Sequence, residues 1–143
     1  MNTDNLIEFR KDLGLTQEEM GKIVGVKKTT YSNYENCNTI IPIDRLNIIS
    51  NKYDLSLDYL LGISRTNDSD FKHIKLDNMK ISKKLKQVRS NLNMSQEEFA
   101  KELKTSRSII SYYETGKVKI TALVLIDYAK LCNKSIDWLC CKK

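Results

Sequence analysis

Residues 16–36 read TQEEMGKIVGVKKTTYSNYEN, and residues 95–116 read SQEEFAKELKTSRSIISYYETG. Both stretches begin with a hydroxyl residue and carry a glutamate three positions later, which is the pattern of a helix capping box. A short break follows, and after it apolar residues return at helical spacing. Each stretch therefore predicts two short helices joined by a tight turn.

The two stretches belong to an internal repeat with an offset of 79 residues. Residues 6–61 align on residues 85–140 without a gap, and 15 of the 56 aligned positions are identical. Two copies of one domain of about 60 residues explain this similarity. We predict domains at residues 1–63 and 80–143, joined by a linker over residues 64–79, which is polar and lacks clear periodicity.

Each copy predicts five short helices, and no strand pattern competes with them, so the fold class is all-α. Pro42 suits the first turn of the fourth helix of the first copy. Ser56 and Ser135 are placed to cap the last helix of each copy. The second and third helices are expected to bury Met20, Val24, Tyr31 and Tyr34 in the first copy, and Phe99, Leu103, Ile110 and Tyr113 in the second.

In spacing, caps and core positions, both stretches resemble the Cro/phage-repressor class of DNA-binding domains, also called Xre-like. The resemblance covers about 120 of the 143 residues. It implies two five-helix helix-turn-helix domains joined by a short linker. It also implies that the third helix of each domain enters the major groove of DNA.

The resemblance assigns base contacts to the outward side chains at the start of each third helix. Arg107 suits bidentate contact with guanine and Asn33 suits adenine, while Tyr112 is an unusual base reader and could stack on sugar or phosphate instead. The predicted base contacts are Lys28, Thr29, Ser32 and Asn33 in the first copy, and Arg107, Ser108, Ser111 and Tyr112 in the second.

Phosphate contacts are expected around the same helices, from Gln17, Lys27, Asn36, Gln96, Ser106, Thr115, Lys117 and Lys119. Gln17 and Gln96 begin the second helices, where an amide and a helix N-terminus can hold a phosphate together. Capping alone would also justify the Gln-Glu-Glu runs. The family further implies two structural ion pairs, Arg10 with Glu35 and Arg89 with Glu114.

The two copies differ in charge and in detail. Residues 1–63 carry seven Lys and Arg against nine Asp and Glu, a net −2, whereas residues 80–143 carry fourteen against six, a net +8. The second copy should therefore supply most of the nonspecific attraction to DNA. In the first copy, Lys27 stands where Ser106 caps the third helix of the second copy. Cys37 replaces Gly116 at the end of that helix, so the first copy is expected to leave its third helix differently.

Composition excludes several classes of protein. There is no apolar run of the length that a membrane span needs, and the start has no signal-peptide pattern, so a cytoplasmic location is expected. The chain has one histidine, no nucleophile–base pattern and no phosphate-binding glycine loop, which argues against an enzyme. The four cysteines lack a metal-site spacing and fit small core residues, so neither a cofactor nor a metal is expected.

The leading hypothesis is a sequence-specific regulator of transcription, acting as a repressor, that binds a double-stranded DNA operator through both modules. A second hypothesis is a protein-interaction module, such as an antitoxin or antirepressor, in which only the second copy contacts DNA. In that case the acidic first copy would be a dimerisation or partner surface. A homodimer is compatible with either, and a tandem chain could equally act as a monomer.

Overall fold

The computed structural model describes residues 1–143 and is entirely α-helical, with ten helices and no strand. The chain divides into two compact units, Met1–Lys75 and Leu76–Lys143. The first unit contains α1 (Asp4–Asp12), α2 (Gln17–Val24), α3 (Lys28–Glu35), α4 (Ile43–Tyr53) and α5 (Leu57–Leu60). The second contains α6 (Asn78–Asn91), α7 (Gln96–Glu102), α8 (Arg107–Thr115), α9 (Ala122–Cys132) and α10 (Ile136–Leu139). The all-α prediction with five helices in each copy is confirmed.

None of these helices is both long and apolar enough to cross a lipid bilayer.

Side-chain caps begin the helices where the sequence predicts them. Thr16 and Ser95 each accept a hydrogen bond from the amide of the residue three positions later, and that glutamate accepts one back, which completes both capping boxes. Ser56 and Ser135 cap the last helices. Pro42 lies one position before the predicted site, because it precedes the first residue of α4 as the N-cap instead of standing inside the first turn.

Each core contains one fully buried tyrosine, and the two tyrosines lie on different helices. Tyr31 on α3 and Tyr128 on α9 are both fully buried. At the repeat-equivalent positions stand Ile110 on α8 and Ile49 on α4, also fully buried. Each core therefore contains one tyrosine and one isoleucine in exchanged places. Because protein interiors are close-packed, this exchange matters: the summed volume of these two side chains is the same in both copies.

Two predicted core residues of the second copy are only half-buried, unlike the other six. Leu103 is the C-cap of α7, whereas its buried counterpart Val24 lies within α2. Tyr113 keeps part of its surface exposed, whereas its counterpart Tyr34 packs edge-on against Tyr31, with ring centroids 6.3 Å apart. Ile110 stands in the place of that ring in the second copy.

Left-handed backbone ends the helices at equivalent places in both copies. The turn after the second helix uses Gly25 (φ 81°) in the first copy and Lys104 (φ 54°) in the second. After the third helix, Cys37 (φ 59°) and Gly116 (φ 75°) both take this conformation. The exit still differs, as expected, because α3 ends at Glu35 whereas α8 continues to Thr115, the equivalent of Asn36. Cys37 adopts the left-handed conformation at a cost in conformational energy, because a residue with a Cβ disfavours positive φ.

Candidate nucleic-acid interface

Helix α3 presents its polar side chains on one face because its other face is committed to the core. Tyr31, Tyr34 and Glu35 are buried. The four residues predicted to contact bases in the first copy, Lys28, Thr29, Ser32 and Asn33, lie at positions i, i+1, i+4 and i+5 of the helix, which share one side. Lys28 and Thr29 are exposed, and Ser32 and Asn33 are half-exposed. The structure thus brings these four residues together on the outer surface of α3.

Helix α8 repeats this arrangement and borders a depression. Arg107 and Ser108 are exposed in its first turn, and Ser111 and Tyr112 follow one turn later, half-exposed. These four residues line a concave pocket of about 220 Å³ together with Gln96, from the start of α7. A predicted phosphate contact therefore borders all four predicted base contacts of the second copy.

A buried polar cluster locks the first three helices of each unit. In the first unit, Arg10 Nε lies 2.6 Å from Glu35 Oε1, and its Nη2 donates to Oε2 at 3.1 Å. Nη1 of the same guanidinium donates to the carbonyl of Leu15 at 2.8 Å. Gln17 donates its amide to Glu35 Oε2 at 2.9 Å. Burying a guanidinium and a carboxylate costs hydration free energy, and complete pairing of this kind is needed to offset it.

The second unit reproduces the cluster almost atom for atom. Arg89 Nε lies 2.6 Å from Glu114 Oε1, its Nη1 donates to the carbonyl of Met94 at 2.8 Å, and Gln96 donates to Glu114 Oε2 at 2.8 Å. Both ion pairs implied by the family resemblance are confirmed. Neither arginine is free to contact DNA.

This cluster separates two explanations of the Gln-Glu-Glu runs. The caps are made by Thr16 and Ser95 with the third residue of each run, so the glutamines are not needed for capping. Instead, each glutamine gives an N–H to the buried glutamate and remains half-exposed. An amide has a second N–H and a carbonyl oxygen. Gln17 and Gln96 are therefore oriented at a helix N-terminus with hydrogen-bonding capacity left over.

The electrostatics of the first cluster favour the charged carboxylate. Burial alone would raise the pKa of Glu35, but the hydrogen bonds from Arg10 and Gln17 outweigh it and bring that pKa below its usual value. The same hydrogen bond from Arg10 to Glu35 raises the pKa of the arginine against the effect of burial. The cluster therefore stays ionised at neutral pH.

The remaining predicted phosphate contacts, Lys27, Asn36, Ser106, Thr115, Lys117 and Lys119, are all exposed. Ser106 also caps α8 through the amide of Ile109, whereas Lys27 gives α3 no side-chain cap. Thr115 donates its hydroxyl to the carbonyl of Ser111 at 2.9 Å. These two hydroxyls therefore also stabilise the helix that presents the pocket.

Three contacts at this surface were not predicted from the sequence. Lys117 Nζ lies 4.8 Å from the centre of the Tyr112 ring, which is a cation–π contact. Asn38 donates to Asn33 Oδ1 at 3.4 Å. Arg45 on α4 donates to the carbonyl of Val24 at the end of α2. The Lys117 and Asn38 contacts each join residues five positions apart, a spacing that is not characteristic of any side-chain pair in a helix. The Arg45 contact joins residues 21 positions apart, so only the fold reveals it.

Comparisons with known proteins agree with this geometry. The helix-turn-helix family model, of the Cro/C1 type, matches the chain twice, at residues 6–60 and 85–139. The chain is 37% identical over 70 residues to the uncharacterized HTH-type transcriptional regulator YobD of Bacillus subtilis (strain 168), covering 49% of this chain and 61% of that protein. It is also 37% identical over 68 residues to the HTH-type transcriptional regulator ImmR of the same organism, covering 46% of this chain and 54% of the relative.

The chain thus spans little more than half the length of the curated relatives that it matches. The two matches of the family model, in contrast, cover most of the chain and fall on the two five-helix units. The chain belongs to the Cro/C1-type helix-turn-helix family and carries two domains of that family in tandem.

Proposed function

We propose that the chain is a sequence-specific regulator of transcription that binds double-stranded DNA through both helix-turn-helix domains and represses the promoter it occupies. The observation that carries this proposal is the pair of outward polar faces on α3 and α8, each beside an oriented glutamine. In helix-turn-helix proteins the second helix of the pair enters the major groove and its first residues meet base edges. Two similar proteins of Bacillus subtilis that are named HTH-type transcriptional regulators support the same role.

The two domains should read different bases. Lys28 and Asn33 in the first domain are replaced by Arg107 and Tyr112 at the equivalent positions of the second. Arginine favours guanine and asparagine favours adenine through paired hydrogen bonds in the major groove. The operator is therefore expected to be asymmetric, with one half-site for each domain. The second domain, with its excess of basic residues, contributes more of the attraction to phosphate.

The proposal concerns binding only and includes no catalytic step, cofactor or metal. Repression follows from occupancy, because a protein bound across a promoter excludes the polymerase. The proposed location is the cytoplasm, where bacterial operator DNA lies. A homodimer is not required, since one chain already contains two reading domains.

The first test is selection of bound sequences from a random duplex pool at about 150 mM salt, where nonspecific attraction is weakened. We expect a bipartite, non-palindromic sequence. A palindrome would instead indicate a homodimer that uses one domain twice, and a single short half-site would leave only one reading domain. No enrichment would refute DNA reading and direct attention to a protein partner.

Substitutions on the two faces then assign the contacts. Arg107→Ala should weaken binding to the selected operator by about 1–3 kcal/mol and relax base choice at one position. Lys28→Ala should have a comparable effect in the other half-site. Lys86→Ala, which removes one exposed charge outside the predicted contacts, is the matched control. An equal loss on all sequences after Arg107→Ala would show that this side chain contacts only phosphate.

A further inference from the structure

Residues 64–75, which we call the strap, contain no helix and yet are held on the first unit by side-chain hydrogen bonds. Asn67 Oδ1 accepts from the backbone N–H of Ser56 at 2.8 Å, and Asn67 Nδ2 donates to the carbonyl of Asp54 at 2.8 Å. The Asp54 side chain also meets the strap, because His73 Nε2 lies 2.5 Å from its Oδ1. The beginning of the strap is reached by Asn5, which donates to the carbonyl of Ser64 at 3.4 Å.

The end of the strap is held by two amides from α4. Asn47 and Asn51 both donate to the carbonyl of Ile74, at 2.8 and 2.9 Å. Asn47 is only 4% exposed, and a buried amide is costly unless it is hydrogen-bonded. At the equivalent positions the second domain has Ile126 and Lys130. The first domain therefore carries the two asparagines that hold its following segment, and the second domain has neither of them.

The strap shortens the free connection between the two domains. The first unit ends at Lys75, and Asp77 already caps α6 by accepting from the amides of Met79 and Lys80. Only Leu76 lies between the strap and this cap. Three steps from Lys75 to the first residue of α6 span at most about 11 Å, whereas residues 64–77 released as an extended chain would span about 50 Å.

We infer that the strap sets the separation at which the two domains read DNA, so that the chain selects operators with one narrow spacing between half-sites. This inference rests on the proposed function. A short tether gives a high effective concentration of the second domain only at separations that the tether can span. Inserting three base pairs moves two half-sites about 10 Å further apart, which is nearly the whole length of the free connection.

The test measures affinity for a series of operators in which the selected half-sites are separated by three fewer, the selected number, three more or six more base pairs. The wild-type chain should lose at least about tenfold in affinity when the spacing changes by three. Asn47→Ile combined with Asn51→Ala releases the end of the strap without changing the charge. Insertion of Gly-Ser-Gly-Ser-Gly-Ser between Lys75 and Leu76 lengthens the tether with the strap intact. Both should reduce the spacing preference to about threefold or less.

Trypsin reports the strap independently of DNA, since Lys72 and Lys75 lie within it and are exposed. Asn47→Ile with Asn51→Ala should speed cleavage there, whereas Asn91→Ala, on the exposed end of α6, should leave both cleavage and spacing preference unchanged. If the asparagine variant does not fold, the insertion variant still decides the question.

The inference is overturned if the wild-type chain tolerates all spacings, if the insertion leaves the spacing preference intact, or if selection yields a single half-site. In these cases DNA binding itself survives. No enrichment of any sequence by the wild-type chain would instead refute the proposed function, and the inference with it. The two failures are therefore distinguishable in one set of experiments.

Discussion

The buried pair of Arg89 and Glu114 allows a quantitative test of how the second domain is held together. Glu114→Ala removes the carboxylate and leaves the guanidinium of Arg89, which is 13% exposed, hydrogen-bonded to the carbonyl of Met94. Breaking a buried ion pair from one side costs about 3–5 kcal/mol, because one charge stays in a low-dielectric site without compensation. Since Arg89 keeps some contact with water, we expect about 3 kcal/mol.

The assay is urea unfolding followed by the fluorescence of Trp138, the one tryptophan of the chain, which lies in the second domain. For a small domain the dependence on urea is about 1 kcal/mol per molar, so the midpoint should fall by about 3 M. The matched control is Glu97→Ala, an exposed carboxylate in the first turn of α7. Its effect should stay within about 0.5 kcal/mol, as for most surface substitutions.

A second variant separates charge from packing. Arg89→Met combined with Glu114→Leu replaces both partners with apolar side chains, and such replacements of buried ion pairs are often neutral or stabilising. The double variant should therefore recover most of the lost stability. It should still bind the operator more weakly than wild type, because Gln96 loses the partner that orients it. A loss below about 1 kcal/mol for Glu114→Ala, or no recovery in the double variant, would refute the reasoning.

Three further predictions concern particular residues. The pKa of Glu35 lies below its usual value, so the ionised group stabilises the first domain at pH values above the pKa that it has in the unfolded chain. This stabilisation is lost as the pH falls through the folded pKa, and hydrogen exchange of the α3 amides between about pH 6 and 3 should show the loss. Glu35→Gln should make the exchange less dependent on pH in this range. Lys104→Gly should raise the free energy of unfolding of the second domain by about 1 kcal/mol in urea unfolding, because Gly25 already occupies the equivalent left-handed position. A lower urea midpoint than wild type would count against strain at this turn. The single variants Tyr31→Ile and Ile49→Tyr should each lower the free energy of unfolding by about 1–4 kcal/mol, measured by thermal unfolding. The double variant should lose clearly less than the sum of the two losses, and additive losses would contradict a shared core site.

Local chemistry made the helices and their faces predictable. The capping boxes at Thr16 and Ser95 formed because both partners lie within one turn, and they mark the starts of α2 and α7. The outward residues of α3 and α8 could be placed for the same reason, since the buried positions of a helix define its opposite face. The roles of these residues toward DNA remain predictions.

The amino-acid sequence by itself determined the repeat, the all-α class, the helix-turn-helix pairs and the exposed polar faces, because each depends on residues within a few positions of one another. Tertiary structure alone decided the features whose partners lie far apart in the chain. The exchange of Tyr31 and Ile49 for Ile110 and Tyr128 is visible only when two helices share a core. The strap is another case: the sequence predicts a polar linker over residues 64–79, whereas Asn47 donates to the carbonyl of Ile74, 27 positions away. A buried side-chain amide must be hydrogen-bonded, and the fold decides which carbonyl lies close enough to accept from it.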